Sequence, residues 1–269
     1  MISNNSRLLV IDTSTSYLSL GLHHNGHTDS IREAAGAKQS ELILPRIQQL
    51  LVESGLILSQ LDAIIYAQGP GAFTGLRIGL GVATGLALPF SLPLIGIPCL
   101  DAIAALAPDQ SCVLAATDAR MNELFYAWYD THNHKRLSDY LVGTAESICL
   151  PAGQHQATGI GNAYGLNITL PVSGQNLMPG AQEYVQLALS GRYKATDAAH
   201  ASLHYVRNKI ALTAAEQAAR RTASQIAWIS VPPLSPMSPL CTSLNNSAIR
   251  HHGQQHNWPI PFMHHSRYG

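Results

Sequence analysis

The chain has no surplus of either charge. Across 269 residues, 16 Lys and Arg stand against 16 Asp and Glu. A free-standing nucleic-acid binder carries a basic excess, so the balance argues against that class while leaving a local basic patch open. Cysteine is scarce: Cys99, Cys112, Cys149 and Cys241 form no C-x-x-C pair, which argues against a zinc ribbon. Neither G-x-x-x-x-G-K-[ST], H-E-x-x-H nor G-x-S-x-G occurs, so a phosphate-loop NTPase, a helical zinc protease and a nucleophile-elbow hydrolase are all disfavoured. The first residues lack the basic start and long apolar region of a signal peptide. No uninterrupted apolar run of about 18 residues points to a membrane span. No membrane partner is expected, and a reducing cytoplasm is the expected setting. What is present is 46% hydrophobic residues, enough for a sizeable core in one large domain or two small ones.

The pattern along the chain is α/β. Leu8-Leu9-Val10-Ile11 reads as a strand ending at Asp12-Thr13-Ser14, and residues 17–22 alternate as its returning partner. Asn25-Gly26 is a hairpin turn signal. Leu44, Ile47, Leu50 and Leu51 share a helical face over residues 40–54, with Gly55 as the stop and Pro45 in the first turn or at a kink. A strand over 63–67, a helix from about Thr74, a strand over 94–97 and a short helix over 100–106 follow. The arrangement then restarts. Residues 112–117 read as a strand ending at Asp118-Ala119-Arg120, and 123–129 as its hairpin partner. Strand, aspartate and returning strand thus occur twice, which predicts two related α/β lobes, residues 1–107 and 108–222. Residues 158–162 read as a strand reaching a small-residue turn, and 181–189 as a helix ended by Gly191. The proline- and histidine-rich stretch over 223–269 reads as a flexible tail.

Two features carry the chemistry. In open α/β sheets ligands sit beyond the carboxyl ends of strands, so Asp12 and Asp118 are candidates to hold a nucleotide and its magnesium, with Thr13 or Ser14 on phosphate. The alternative is that each aspartate caps a turn through its own backbone. The second feature is the run from Gln68 to Gly79, whose Gly69, Gly71 and Gly75 give G-x-G-x-x-x-G, one residue longer than the dinucleotide fingerprint. It marks a special strand–helix junction. Gly75, Gly79, Ala83 and Ala87 recur every four residues, and Gly81 and Gly85 form a second small-residue ridge. Each helical glycine costs about 0.5–1 kcal/mol against alanine, which close contact with another backbone offsets. That neighbour is the sheet beneath, a partner subunit, or both. The histidine pairs His23/His27, His200/His204 and His252/His256 have chelating spacing, but none sits in a convincing helix and no catalytic metal is expected.

Together these segments resemble the TsaB family, also called YeaZ. The matching residues are Ile11-Asp12-Thr13-Ser14, Ser40-Glu41-Leu42-Ile43-Leu44-Pro45, Gly69 to Gly79, Gly85-Leu86-Ala87, Asp118 to Glu123 and Tyr205-Val206-Arg207-Asn208. The resemblance covers about residues 7–212 and is patchy over 131–195. It implies two ribonuclease-H-like lobes of the actin-like, chaperone-ATPase (ASKHA) fold. It implies a subunit that is not catalytic alone and that activates a paralogue, TsaD, in forming threonylcarbamoyladenosine beside the anticodon of tRNA. TsaE joins that assembly and TsaC supplies the activated intermediate. Alone, the family forms homodimers through first-lobe helices. The nucleotide candidates are then Asp12, Thr13, Ser14, Gly69, Gly71, Asp118 and Arg120, with ATP or ADP and magnesium at a subunit junction rather than a cofactor of its own. The partner-interface candidates are Leu44, Ile47, Leu51, Gly75, Gly79 and Ala83. Gln39 stands where the family often has His, which weakens a metallopeptidase reading. An active ATPase or kinase of the same fold is the main alternative.

Overall fold

Leu8 to Asp12 form a strand because every residue is apolar up to the tip and both faces are covered: Leu8 to Ile11 are fully buried. The computed structural model describes residues 2–154 and 156–206. The tail expected over 223–269, His252 and His256 lie outside them, as does the last part of the second expected lobe. β1 (Leu8–Asp12) pairs antiparallel with β2 (Tyr17–His24), which pairs with β3 (His27–Ala34). Asn25 and Gly26, both at positive φ, make the two-residue turn. α1 (Gln39–Ser54) follows, with Pro45 well inside it rather than in its first turn. β4 (Ala63–Gly69), α2 (Phe73–Ala87) and β5 (Leu94–Pro98) form a parallel crossover unit, and α3 (Cys99–Ala104) follows directly.

The second sheet is built on β6 (Val113–Arg120) and β7 (Glu123–Asp130), an antiparallel pair, with β8 (Lys135–Arg136) and β9 (Leu141–Gly143) both against β7. β10 (Thr158–Ile160) runs parallel to β6 and β11 (Gly174–Gln175) parallel to β10. α4 (Ala181–Leu189) and β12 (Ala195–Thr196) complete the described elements. The first sheet has the order β12-β5-β4-β1-β2-β3 and the second β11-β10-β6-β7-β8. The sheets change over between α3 and β6, near the expected boundary at residue 107, but residues 108–222 do not all lie with the second sheet. β12 pairs with β5, and α4 packs Tyr184, Val185 and Ala188 against Leu8, Val10 and Ile65, so residues 181–196 belong to the first sheet.

Packing follows the strand alternation. Leu9 and Ile11 face α1 and α2, while Leu8 and Val10 face α3 and α4. α3 is shared: Cys99 and Ala102 touch the first sheet's core, and Leu100, Ile103 and Ala104 enter the second sheet's core with Val113, Ala115 and Phe125. The stretch Phe73–Phe90 is long and apolar enough to cross a membrane by length and composition, with a mean hydropathy of 1.3. Here its small-residue ridge, Gly75, Gly79, Ala83 and Ala87, is buried against the sheet, and Arg77 interrupts it.

Candidate functional site

The two aspartate-tipped hairpins face each other across a cleft of about 790 Å³. Ser14 and Thr15 line one wall. Gly71, Phe73 and Thr74 around the start of α2 line the cleft as well, as do Thr117, Asp118 and Arg120 of β6 and, from the far end of the described chain, Tyr205.

The glycine run positions the first wall. Gly71 lies on Ser14, where a Cβ would come within 2.7 Å of the Ser14 carbonyl oxygen, and the Ala72 N–H donates to that same oxygen at 2.7 Å. A Cβ at Gly75 would overlap the Thr13 carbonyl, and one at Gly79 would overlap the Thr13 hydroxyl. Thr13 Oγ1 in turn donates to the Gly75 carbonyl at 2.7 Å. The run is thus a seam between α2 and the tip of β1. Gln39, buried at the start of α1, donates from Nε2 to the Thr15 and Tyr17 carbonyls at 2.7 and 3.0 Å and fixes the same loop from behind.

Asp12 and Asp118 share one local chemistry. The Ser14 N–H donates to Asp12 Oδ1 at 2.8 Å, and the Arg120 N–H donates to Asp118 Oδ1 at 2.7 Å. Each aspartate caps its turn two residues on, the alternative left open by the sequence. Their second oxygens differ. Asp118 Oδ2 lies 3.5 Å from Arg120 Nη1 at the cleft wall. Asp12 Oδ2 accepts the Tyr184 hydroxyl at 3.1 Å beneath the sheet, and Asp12 is buried. Burial raises its pKa above the ordinary 3.8 against the lowering effect of the Ser14 and Tyr184 hydrogen bonds. Burial also pushes the neighbouring Cys99 thiol up to about 12, so it stays protonated.

Of the seven nucleotide candidates, the cleft brings together Ser14, Gly71, Asp118 and Arg120. Asp12 and Thr13 are turned into the core. Gly69, at φ 97°, lies beneath the His204 carbonyl. The paired-carboxylate magnesium site does not fit this arrangement, because only one of the two carboxylates faces the cleft. The interface candidates also need correction. Leu44 is exposed, but Ile47, Leu51, Gly75, Gly79 and Ala83 are buried within the chain's own core, because the α2 ridge packs on β1 and the face of α1 turned inward runs through Gln39, Ile43, Ile47, Leu50 and Leu51. The small residues on the outer side of α2 are Gly81 and Gly85, and a Cβ on either would meet nothing within 4 Å. Among the histidines, His23 is buried between Thr28 and the Asn4 carbonyl, and His200 is paired with Asp197. Among the described residues no group of three His, Cys, Asp or Glu gathers.

Three further features of the site's geometry were not read from the sequence. Asn162 Oδ1 accepts both the Thr117 hydroxyl at 2.7 Å and the Asp118 N–H at 2.9 Å, holding the opposite wall. Its signal was the small-residue turn: Gly161, at φ 124°, sits where a Cβ would overlap the Ala116 carbonyl. Arg120, Met121 and Asn122 are all at positive φ, a costly conformation for three consecutive non-glycine residues, and they present Arg120 and Met121 at the cleft edge. Outside the cleft lining, the Arg77 guanidinium lies 3.6 Å over the ring of Phe73 and donates from Nε to the Tyr205 hydroxyl at 3.2 Å, and so ties together two residues that do line it.

The Asp12 environment yields a prediction. A carboxyl whose folded pKa is raised destabilises the fold above that pKa, and the penalty is relieved as pH falls toward the unfolded value. Asp12→Asn keeps an acceptor for the Ser14 N–H and removes the buried charge. It is expected to match or exceed the wild type at neutral pH by on the order of 1 kcal/mol. The advantage should vanish toward about pH 4. Urea unfolding of both proteins across that range checks it, and a variant less stable at neutral pH would show that the charge is a needed one.

Two α/β lobes, with matching aspartate-tipped hairpins across a cleft, define a protein of the actin-like, chaperone-ATPase fold class. Comparisons specify it further. The family model described as "TsaD: tRNA N6-adenosine threonylcarbamoyltransferase" matches residues 31–257, reaching into the stretch expected to lie beyond the family resemblance. The chain is 32% identical over 225 residues to the tRNA threonylcarbamoyladenosine biosynthesis protein TsaB of Escherichia coli, covering 76% of this chain and 96% of that one. It is 44% identical over 126 residues to the TsaB of Haemophilus influenzae, covering 46% and 53%. The solved structure of YeaZ from Pseudomonas aeruginosa superimposes with a TM-score of 0.67 at 32% identity, over 74% of this chain and 99% of that one. The chain belongs to the TsaB (YeaZ) family.

Proposed function

We propose that this chain works in threonylcarbamoyladenosine biosynthesis on tRNA as a non-catalytic, cytoplasmic subunit that binds and activates a TsaD enzyme. The near full-length relation to the Escherichia coli TsaB carries the reading. The cleft supports the non-catalytic part, since Asp12 is spent inside the core on Ser14 and Tyr184. TsaE and TsaC complete the pathway in this reading, and a homodimer forms when TsaD is absent. The partner surface is the outer side of α1 and α2, where Leu44, Val52, Gly81 and Gly85 are exposed, continued by the exposed Leu88 and Phe90 in the turn that follows α2.

The test is co-purification with the organism's TsaD, followed by a tRNA-modification assay omitting each component in turn. Modification that needs this chain is the expected result; undiminished modification without it overturns the reading. Gly85→Leu is expected to weaken pairing by at least about tenfold while the variant stays folded, because the site is open in the isolated chain. Normal pairing by Gly85→Leu would move the interface elsewhere. An active ATPase or kinase remains the rival, favoured by the size of the cleft. Calorimetry with ATP and magnesium separates the two: tight binding lost in Asp118→Ala favours the enzyme.

A further inference from the structure

One cation is held rigidly at the surface with nothing to neutralise it. The Arg77 guanidinium lies 3.6 Å from the Phe73 ring centroid and 5.9 Å from that of Tyr205, and the two rings are 5.6 Å apart, tilted by 47°. Arg77 Nε donates to the Tyr205 hydroxyl at 3.2 Å. Tyr205 is itself fixed, because the segment before it is pinned to β4. There the His204 N–H donates to the Gln68 carbonyl at 2.8 Å, and the Tyr66 hydroxyl donates to the Ser202 carbonyl at 2.9 Å. Ring contacts and one hydrogen bond therefore set the guanidinium plane, while Arg77 stays exposed.

The other described arginines all have an acceptor or a counter-charge. Arg7 is on Asp62, Arg46 on Glu33 and Arg120 on Asp118. Arg32 and Arg192 donate to the Met178 and His134 carbonyls, and Arg136 lies in the field of Asp101. Among the described residues, no ion pair and no carbonyl engages Arg77, and α2 itself holds no Asp or Glu. Its Nη1/Nη2 edge, which matches the two oxygens of a carboxylate, is left over.

Position gives this cation a meaning. Phe73, Arg77, Gly81 and Gly85 follow one another at four-residue steps along a single ridge of α2. A Cβ on Gly81 or Gly85 would meet nothing within 4 Å, so the ridge is bare backbone ending in a guanidinium. Helical side chains lean toward the N-terminus, which agrees with Arg77 covering Phe73. From Gly85 to the level of Phe73 is about 18 Å, the length of a helix of three or so turns. A partner seated on the exposed ridge and on Leu44 would strip water from the guanidinium, and an unpaired charge covered in this way is costly. The covering surface must therefore bring an anion.

We propose that Arg77 is the charged anchor of the partner surface and receives a carboxylate of the TsaD-type partner on its Nη edge. The face and its occupant rest on the functional reading above; the contact rests on Arg77, with Phe73 and Tyr205 as its positioning residues.

The test is calorimetric titration of the full-length protein and its variants with the organism's TsaD, beside urea midpoints of each variant alone. Arg77→Gln is expected to weaken pairing by at least about tenfold and Arg77→Glu by at least about a hundredfold. Midpoints should stay close to the wild type, because the Nη edge has no partner in the isolated chain. Tyr205→Phe, which removes the bond to Nε but keeps ring and cation, should lose less than about fivefold. Pairing by Arg77→Glu should recover on a TsaD in which one surface carboxylate is replaced by lysine. Wild-type pairing by both Arg77 variants overturns the proposal and leaves the functional reading standing. So does an equal loss in Tyr205→Phe, which would make Arg77 a support for residues 202–206, or a loss matched by lowered midpoints. A loss that no lysine-substituted TsaD reverses overturns the carboxylate. Intact pairing with weakened filter binding of an unmodified tRNA transcript by Arg77→Glu overturns it in favour of a phosphate contact. A wild type that fails to pair strikes the functional reading and this proposal together.

Discussion

Gly75→Ala is expected to destabilise the chain by about 2–3 kcal/mol, while Gly81→Ala, on the same helix, should stabilise it by about 0.5–1 kcal/mol. The intrinsic term is identical at both sites, since replacing a helical glycine with alanine reduces the entropy lost on folding. The surroundings decide the sign. A methyl at Gly75 meets the Thr13 carbonyl, a main-chain atom at the end of a strand buried on both faces, and that atom cannot swing aside. The collision also separates Thr13 Oγ1 from the carbonyl it donates to. A methyl at Gly81 meets nothing within 4 Å. Urea unfolding of the two variants beside the wild type checks the contrast, and equal signs would refute the assignment of one ridge to the sheet and the other to the outside. A bulky residue at Gly75 or Gly79 is consequently a poor probe of pairing, since it breaks the fold first.

The residues that could be read from sequence are those whose partners lie nearby or whose spacing has one meaning. β1 with its aspartate tip, the Asn25-Gly26 turn, the α2 small-residue ridge and the β6–β7 hairpin all follow from local periodicity and turn chemistry. Periodicity put Leu44 on one α1 face with Ile47, Leu50 and Leu51; the packing of α1 on β2 and α2 instead buries Ile43 with those three and leaves Leu44 exposed. The fate of Asp12 turns on Tyr184, 172 residues away, and no local pattern encodes that bond. The return of α4 and β12 to the first sheet is likewise a tertiary choice, made because Tyr184 and Val185 complete the core under Leu8 and Val10.

Asp101→Ala is expected to cost about 3–5 kcal/mol, and Asp101→Asn substantially less, about 1–2 kcal/mol. The carboxylate sits on α3, the helix shared by both cores, and gathers Tyr129 from β7, Tyr140 from before β9 and Tyr193 from after α4. Alanine leaves three inward-facing hydroxyls without an acceptor. Asparagine keeps an oxygen for Tyr129 and Tyr140 and offers an amide to Tyr193. A pH signature accompanies the loss. Burial, and then the negative charge of Asp101, raise all three phenols above the ordinary 10.0. A group with a raised folded pKa contributes its full stabilisation below the unfolded value and loses it as pH rises toward the folded one. Wild-type stability should therefore decline above about pH 10. Asp101→Ala keeps burial, the larger cause, but lacks the anion, so its decline should begin at the same pH and level off sooner. Urea midpoints at neutral and alkaline pH measure both effects. An alanine variant as stable as the asparagine one would show that the three hydroxyls find other acceptors, and that the junction between the lobes is held by α3 packing alone.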